Sequence, residues 1–173
     1  MEKQEESFEK FSEKVVTKED LSVLADQIDE AARWVYKGGE AALSEKIAGS
    51  VSEEFRQIIA SLEEVGKFPA SYEEQSDFFK NLKKYLETLP VIKLTIAFGP
   101  DKDFLAGLSS RLKKQIGKRI ILEILVKEEA VGGLILEYGG EYRDYSLARK
   151  LDEVIESSKL VKTRPEVKNV QAS

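Results

Sequence analysis

The spacing of the apolar residues first changes from a helical to a strand-like pattern at Pro90, and this change constrains the fold more than any other feature. Before Pro90, apolar residues recur three and four positions apart, which is typical of amphipathic helices. After it come short runs of β-branched and aromatic residues, which are typical of strands. We therefore predict an α+β fold, with an N-terminal helical bundle at residues 17–89 and a small α/β domain at residues 91–156.

The helical half contains several apolar stripes. Thr17 is placed to cap the first helix. A second run, residues 43–65, is interrupted at Gly49, so one long helix and two short ones both remain open. The last run stops before Pro90, because the residue preceding a proline avoids the α conformation. The stripe of the first helix consists of Leu21, Leu24, Ile28, Ala31 and Val35.

The α/β half begins with VIKLTIAF, residues 91–98, which we interpret as a strand followed by a helix that ends at Gly117. RIILEILV, residues 119–126, is a second strand. Two shorter strand-like runs follow, LILEY at 134–138 and EYRDY at 141–145, and a last apolar stripe predicts a helix. The predicted order is β-α-β-β-β-α, or β-α-β-β-α if two of the strands merge.

Two glycine pairs lie in this half. Gly139-Gly140 separates two strand-like runs, where a tight hairpin turn needs positive φ angles. Gly132-Gly133 precedes them, and the absent side chains let the backbone bend or another element approach closely. A polar residue then caps the last helix. The predicted turn and cap residues are Gly132, Gly133, Gly139, Gly140, Asp144 and Ser146.

The two ends of the chain lack a clear period. Residues 1–16 are acidic and polar with Phe8 and Phe11 three positions apart. We expect a flexible N-terminus, with a frayed helix or a segment that orders on a partner as alternatives. The tail at residues 157–173 mixes lysines with one proline, and we expect it to be flexible or to dock on a partner.

The composition argues against catalysis. The chain has no histidine and no cysteine, which removes the commonest acid–base group, thiol nucleophiles and disulfides. Neither a dinucleotide-binding glycine motif nor a P-loop occurs in the sequence. Glutamate pairs such as Glu63-Glu64 lie among lysines on predicted helix surfaces, where solvation explains them. We therefore predict no catalytic residues, no cofactor and no metal site.

Charge and hydropathy restrict the partners. The net charge of -5 works against nucleic acid, because affinity for phosphates comes largely from clustered lysine and arginine. The most basic stretch, residues 111–119, has no interleaved aromatic residues, so an RNA- or ribosome-binding adaptor is only an alternative hypothesis. No apolar run approaches the roughly 18 to 20 residues that cross a bilayer. We expect a cytoplasmic protein without direct membrane insertion. The basic stretch contains Arg111, Lys113, Lys114, Lys118 and Arg119.

Four segments after Pro90 follow one another in an informative order: IKLTIAF, a helix ending at QIGK, RIILEILVKEEA, and VGGLILEYGGEYRDYSLARKL. In this order and spacing, residues 91 to about 155 resemble the C-terminal domain of the δ subunit of bacterial F-type ATP synthases, the counterpart of the mitochondrial oligomycin-sensitivity-conferring protein. In that family the last block has a small-residue turn, an aliphatic strand, a second turn, an Asp near 144, a Ser at 146 and a closing Leu at 151.

The resemblance implies a non-catalytic peripheral-stalk (stator) subunit, bound at the cytoplasmic face of the inner membrane, that couples proton flow to ATP synthesis. It implies that the helical domain binds the N-terminal helix of an α subunit of the catalytic head. The α/β domain is then expected to bind the C-terminal end of b-type peripheral-stalk subunits. The predicted partner-binding residues are Leu21, Leu24, Ile28, Val35, Leu134, Leu136, Leu147 and Leu151.

A neighbouring alternative is the E-type stator subunit of an archaeal or vacuolar ATPase, which also combines a helical first half with an α/β end. Such a subunit needs a long uninterrupted coiled coil. Gly38-Gly39, Gly49 and Pro69 interrupt the helical half of this chain. The δ-type interpretation is therefore the leading hypothesis.

Overall fold

The computed structural model describes residues 2–37, 39–127 and 133–145. An N-terminal group of helices precedes a four-stranded sheet, which confirms the predicted α+β class. The helices are α1 (Glu2–Ser12), α2 (Lys18–Trp34), α3 (Leu43–Lys46), α4 (Glu53–Glu64), α5 (Tyr72–Glu87) and α6 (Lys102–Ile116). The strands are β1 (Val91–Ile96), β2 (Ile121–Val126), β3 (Leu134–Tyr138) and β4 (Glu141–Asp144).

The described residues form two compact units. The helical unit comprises the described residues up to Ile92 together with Pro100–Glu123. The sheet unit comprises Lys93–Gly99 together with the described residues from Ile124 onward. The predicted domain limits, 17–89 and 91–156, stay predictions.

Helix ends follow local capping chemistry. Thr17 caps α2 through a reciprocal capping box, in which Thr17 Oγ1 accepts from the Asp20 N–H at 3.1 Å and the Asp20 carboxylate accepts from the Thr17 N–H at 2.9 Å. Gly49, with φ of 79°, lies between α3 and α4, so the second helical run forms two helices rather than one. Gly117 ends α6 in the left-handed conformation, with φ of 75°.

Aromatic side chains fill the interior of the helical unit. The ring centroid of Phe78 lies 5.1 Å from Phe8, 5.1 Å from Phe68 and 5.8 Å from Phe79, in edge-to-face arrangements. Such pairs contribute about 0.5–1.5 kcal/mol beyond the burial of their area. Most of these rings belong to α1 and α5, so the two helices are joined at the centre of the core.

The N-terminal segment is helical and packed in the structure, whereas its acidic composition led us to expect a flexible N-terminus. Phe8, Phe11 and Val15 are each 4–5% exposed and belong to the core of the helical unit. They recur three and four positions apart, so α1 and the turn that follows it present one apolar stripe. Phe78 and Phe55 cover that stripe, and its burial outweighs the polar composition of the segment.

The sheet has the strand order β2-β1-β3-β4, and β3 pairs antiparallel with both β1 and β4. The N–H groups of Ile121 and Lys127 donate to the carbonyls of Pro90 and Ile96, at 2.9 and 2.8 Å. From the first bond to the second, the acceptor moves toward the C-terminus along β1 and the donor moves toward the C-terminus along β2. The two strands therefore run parallel, and α6 is the crossover between them. The described order is β-α-β-β-β; the predicted last helix and the tail at 157–173 lie outside the described residues.

The turn between β3 and β4 consists of Gly139 and Gly140, with φ of 59° and 82°. Two consecutive positive φ angles are the requirement of a two-residue hairpin turn. Gly133 immediately precedes β3, and Asp144 is the last residue of β4, opposite Ile135. Gly132 and Ser146, the remaining predicted turn and cap residues, lie outside the described part of the chain.

Candidate functional site

The apolar stripe of α2, which we predicted to bind a partner, faces the interior of the helical unit. Ile28 and Val35 are fully buried and Leu24 is 7% exposed, all within the core. Leu21 is half-buried and packs against the same core. In this arrangement the chain's own helices cover the stripe, because stripes of neighbouring helices bury one another. Of these predicted residues, Leu24 also lines an open groove of the unit.

This open groove lies between α1, α2 and α4. It has a volume of about 460 Å³, and its floor includes Phe11, Leu24 and Phe55. Val23 of α2 also lines it and is 58% exposed, which leaves apolar surface open to a partner. A groove with an apolar floor is the form that binds the apolar face of an amphipathic helix. We call it the α1/α2/α4 groove.

The rim of the α1/α2/α4 groove carries both signs of charge. Lys10 and Lys14 lie on one side, and Asp20 and Glu54 lie on the others. The Lys14 ammonium pairs with the Glu54 carboxylate at 2.5 Å, and both side chains are more than half exposed. Exposed pairs of this kind contribute about 0–1 kcal/mol. Breaking this ion pair to form new pairs with another chain would therefore cost little free energy.

Hydrogen bonds hold α2 and the start of α4 together at the groove. The side-chain oxygen of Gln27 accepts from the Ser52 N–H at 3.0 Å and from the Ser52 hydroxyl at 2.6 Å. The Ser52 hydroxyl oxygen in turn accepts from the Phe55 N–H at 3.2 Å and caps α4. These hydrogen bonds therefore fix the spacing between the two helices beside the groove.

Glu53 lies in the first turn of α4, and its carboxylate has a lowered pKa. The Arg56 guanidinium donates to both oxygens of Glu53, at 2.7 and 2.5 Å, and the Gln57 amide donates at 3.0 Å. These hydrogen bonds, with that from Arg56 the largest cause, lower the pKa of Glu53 to about 2. A negative charge at a helix N-terminus is favourable, so Glu53 supports α4 at neutral pH.

The predicted partner-binding leucines of the sheet unit lie on its more covered face. Leu94 and Ile96 of β1 are fully buried, and their partners across the β1–β3 ladder are Leu136 and Leu134. Both leucines are half-buried. The opposite face is more polar at this pair of strands. Leu147 and Leu151 lie outside the described residues.

Exposed side chains with large apolar surfaces lie at the β3–β4 hairpin and at the end of β2. Tyr138, Tyr142 and Tyr145 are 43%, 62% and 51% exposed on or beside the β3–β4 hairpin. Leu125 and Val126, at the end of β2, are each 49% exposed. Tyrosines combine a large apolar ring with a hydrogen-bonding hydroxyl, and they are enriched at protein interfaces. We call the β3–β4 hairpin with its three tyrosines the tyrosine hairpin.

One residue of the basic stretch, Arg119, forms hydrogen bonds within the chain. Arg111, Lys113, Lys114 and Lys118 are exposed, but the guanidinium of Arg119 donates to the backbone carbonyls of the chain itself. This use of Arg119 weakens the RNA-binding alternative. In the ranges that the structure describes, no group of three or more acidic side chains is arranged to hold a metal ion. Within the same ranges, no helix has the length and hydropathy to cross a membrane.

Sequence reasoning identified one apolar residue of the α1/α2/α4 groove, Leu24, but not the groove itself. Phe11 lies in the segment that we expected to be flexible, and neither Phe55 nor Val23 was predicted to bind a partner. The spacing of Phe8, Phe11 and Val15 indicated a helical stripe in the N-terminal segment. No comparable pattern marks the groove itself, because its lining comes from three helices that are distant in sequence.

Comparison with known proteins gives the chain a family. The model of the family described as "ATP synthase delta (OSCP) subunit" matches residues 1–157. The ATP synthase subunit delta, sodium ion specific, of Propionigenium modestum is 29% identical over 114 residues, which cover 66% of this chain and 65% of the relative. The ATP synthase subunit delta of Francisella tularensis subsp. mediasiatica (strain FSC147) is 28% identical over 81 residues, 47% of each chain.

The ATP synthase subunit delta of Francisella tularensis subsp. novicida (strain U112) is 27% identical over 81 residues, again 47% of each chain. The chain therefore matches between about half and just under two thirds of the length of these curated relatives. The family match is broader, since it includes α1, the helical unit and every described strand. The chain belongs to the ATP synthase delta (OSCP) subunit family.

Proposed function

We propose that this chain is a non-catalytic stator subunit of an F-type ATP synthase, peripheral to the membrane at its cytoplasmic face. In this role it links the catalytic head to the peripheral stalk and keeps the head from turning with the rotor, so that proton flow is coupled to ATP synthesis. The observation that carries the proposal is the α1/α2/α4 groove in a chain of this family. The family membership supports an ATP synthase, and the groove supports a role in holding another chain.

The proposed occupant of the groove is the N-terminal helix of an α subunit of the catalytic head. The floor of Phe11, Leu24 and Phe55 suits the apolar face of an amphipathic helix, and the charged rim suits its flanking polar residues. The groove is partly preformed by the bonds of Gln27 to Ser52. Many distributed apolar contacts resist a sustained torque better than one exposed ion pair does.

The test measures by calorimetry the binding of a synthetic peptide that has the sequence of the α-subunit N-terminal helix. Val23→Glu places a charge in the groove at a residue that is already 58% exposed, so the fold is expected to persist. We expect binding to weaken by about tenfold or more, because burying an unpaired charge is costly. Val65→Glu, at an equally exposed valine outside the groove lining, is the matched control. Equal binding by the two variants would reject the groove as the binding site.

We further propose that the sheet unit binds b-type peripheral-stalk subunits through the tyrosine hairpin. Exposed tyrosines and the apolar end of β2 supply contact area that remains exposed among the described residues of the unit. Tyr142→Glu, at a residue that is 62% exposed, is expected to reduce capture of a C-terminal b-type segment without changing the groove affinity for the α-subunit peptide. Capture of that segment at wild-type strength would remove the hairpin from the interface.

The complete assembly provides a second test. The chain is expected to restore coupled ATP synthesis when it is added to a complex from which the native δ subunit has been stripped. Proton-driven ATP synthesis and ATP hydrolysis are measured together, since a stator that is missing uncouples the two. Coupled synthesis at the same rate without any δ-type subunit contradicts the stator role.

A further inference from the structure

One wall of the α1/α2/α4 groove is held by a residue that is far away in sequence. Arg119 Nη1 donates to the backbone carbonyl of Ser12 at 2.7 Å and to that of Glu13 at 2.6 Å. Ser12 is the last residue of α1. The last carbonyls of a helix have no partner within the helix, and a cation there also complements the helix dipole. Arg119 therefore caps α1 from outside the helix.

The segment after α1 is fastened to the same region of the helical unit. The Leu122 N–H donates to the Val16 carbonyl at 2.8 Å, and Thr17 forms a parallel bridge with Leu122. The Lys18 ammonium pairs with the Glu123 carboxylate at 3.0 Å. Residues 12–18 thus run alongside residues 119–123 and are held there at several points.

This fastening fixes residues that line the α1/α2/α4 groove. Phe11, Glu13, Lys14 and Val15 all line the groove, and all lie beside the carbonyls that Arg119 binds. Helix α1 has 11 residues, and isolated helices shorter than about 12–15 residues are marginal in water. The position of this wall therefore depends on contacts outside the helix, and Arg119 supplies two of them.

We propose that Arg119 is a positioning residue for the α1/α2/α4 groove. It does not touch the partner helix; it holds the end of α1 at the distance from α2 and α4 that the partner requires. Because binding equilibria are reciprocal, a helix bound in the groove also stabilises the bonds between residues 12–18 and 119–123. The identity of the partner helix rests on the function proposed above.

The experiment compares Arg119→Ala and Arg119→Lys with the wild-type chain, using the α-subunit N-terminal peptide as probe. We expect Arg119→Ala to weaken binding by about tenfold, which is the worth of one charge-assisted hydrogen bond. Arg119→Lys keeps the positive charge but replaces the guanidinium with a single ammonium group. It should therefore recover part of the affinity that Arg119→Ala loses. Lys83→Ala is the matched control, because it removes two hydrogen bonds to Asp29 that join α2 and α5 away from the groove lining.

Hydrogen exchange gives a readout that a general loss of stability does not produce. In Arg119→Ala, the amides at the end of α1 and the Leu122 amide are expected to exchange faster, while those of α5 are unchanged. In the wild-type chain, added peptide should slow exchange at Leu122, although Leu122 does not line the groove. Lys83→Ala should show neither effect.

The outcomes separate the two proposals. If the wild-type chain does not bind the peptide, the proposed occupant is wrong, and the exchange rates in the free variants still decide the role of Arg119. Unchanged exchange at the end of α1 in Arg119→Ala, or an affinity loss no greater than that of Lys83→Ala, overturns the positioning role. Faster exchange confined to α1 and Leu122, together with partial recovery by Arg119→Lys, supports it.

Discussion

The two units of this protein bury their apolar residues to different degrees. In the helical unit, α1, α2, α4 and α5 each place residues in one core, and Ile28, Ile59 and Leu82 are fully buried. In the sheet unit, β1 contains fully buried residues, but β3 has only half-buried and exposed ones and β4 is almost entirely exposed. The described helices of the helical unit bury most of their stripes against one another, whereas the described strands of the sheet unit leave more apolar surface exposed.

This difference indicates two ways of presenting a binding surface. Under the function proposed above, a partner helix that binds the groove orders little of the protein, because hydrogen bonds already hold the helices that form it. In the same proposal, the exposed apolar side chains of the tyrosine hairpin gain burial from the peripheral stalk. The groove should therefore be sensitive to changes in its supporting contacts, and the hairpin to changes in its exposed side chains.

The largest expected effect tests whether the helical core is the main source of stability. Phe78 is 2% exposed and contacts four other phenylalanine rings. Phe78→Ala should lower the free energy of unfolding by about 3–5 kcal/mol. Tyr142→Ala, at an exposed residue of the tyrosine hairpin, should change it by less than about 0.5 kcal/mol. Denaturant titration measures both, and comparable losses would contradict the contrast between the units.

The next effect concerns the hairpin turn. Gly140 has φ of 82°, and an added Cβ meets no atom within 4 Å, so backbone strain is the expected source of the cost. Gly140→Ala should destabilise the protein by about 1–2 kcal/mol. Gly107→Ala, in α6 with equally open surroundings, should instead stabilise it by about 0.5–1 kcal/mol. If both variants change stability in the same direction, the turn does not depend on positive φ.

A smaller effect tests the cap at the junction of α1 and α2. Thr17→Ala removes the hydroxyl that accepts from the Asp20 N–H, and it should cost about 1 kcal/mol of stability. Ser110→Ala, at an exposed position within α6, should stay within about 0.5 kcal/mol of the wild type. Thermal unfolding of the two variants side by side measures the difference. No difference between them would mean that the capping box adds nothing to the helical unit.

The smallest expected effect is a pH dependence of the helical unit. Hydrogen bonds from Arg56 lower the pKa of Glu53 from 4.5 to about 2 in the folded chain. The stabilisation is therefore present above pH 4.5 and is lost as the pH falls toward 2. Glu53 is exposed, so salt screens the effect and its size is small. The slope of stability against pH between 4.5 and 2 should be shallower in Glu53→Gln; an unchanged slope contradicts the assignment.

Local signals in the sequence were sufficient for most of the elements. Thr17 marks a helix start, Gly117 marks a helix end, and Gly139-Gly140 marks the hairpin turn, because each acts on neighbours within a few residues. The α1 segment was the exception. Its acidic composition favoured disorder, and only the residues that cover Phe8 and Phe11 reverse that balance.

The candidate site was much less accessible to sequence reasoning. The stripe of α2 was recognised correctly as apolar, but the pattern of a stripe does not say whether the same chain or another one covers it. Arg119 belonged to a basic stretch and was weighed as a nucleic-acid contact, although it binds carbonyls more than a hundred positions away. Such pairings leave no periodic trace in the sequence.

By itself, the sequence determined the class of most of the described segments, the first strand after Pro90, and the turns and caps that the structure describes, because backbone preferences and capping bonds act locally. Only the tertiary structure decided that α1 packs into the core, that most of the α2 stripe is buried within the chain, and that a groove remains between α1, α2 and α4. Each of these depends on which distant side chains cover an apolar surface, and burial energy does not distinguish among apolar partners until the fold brings them together.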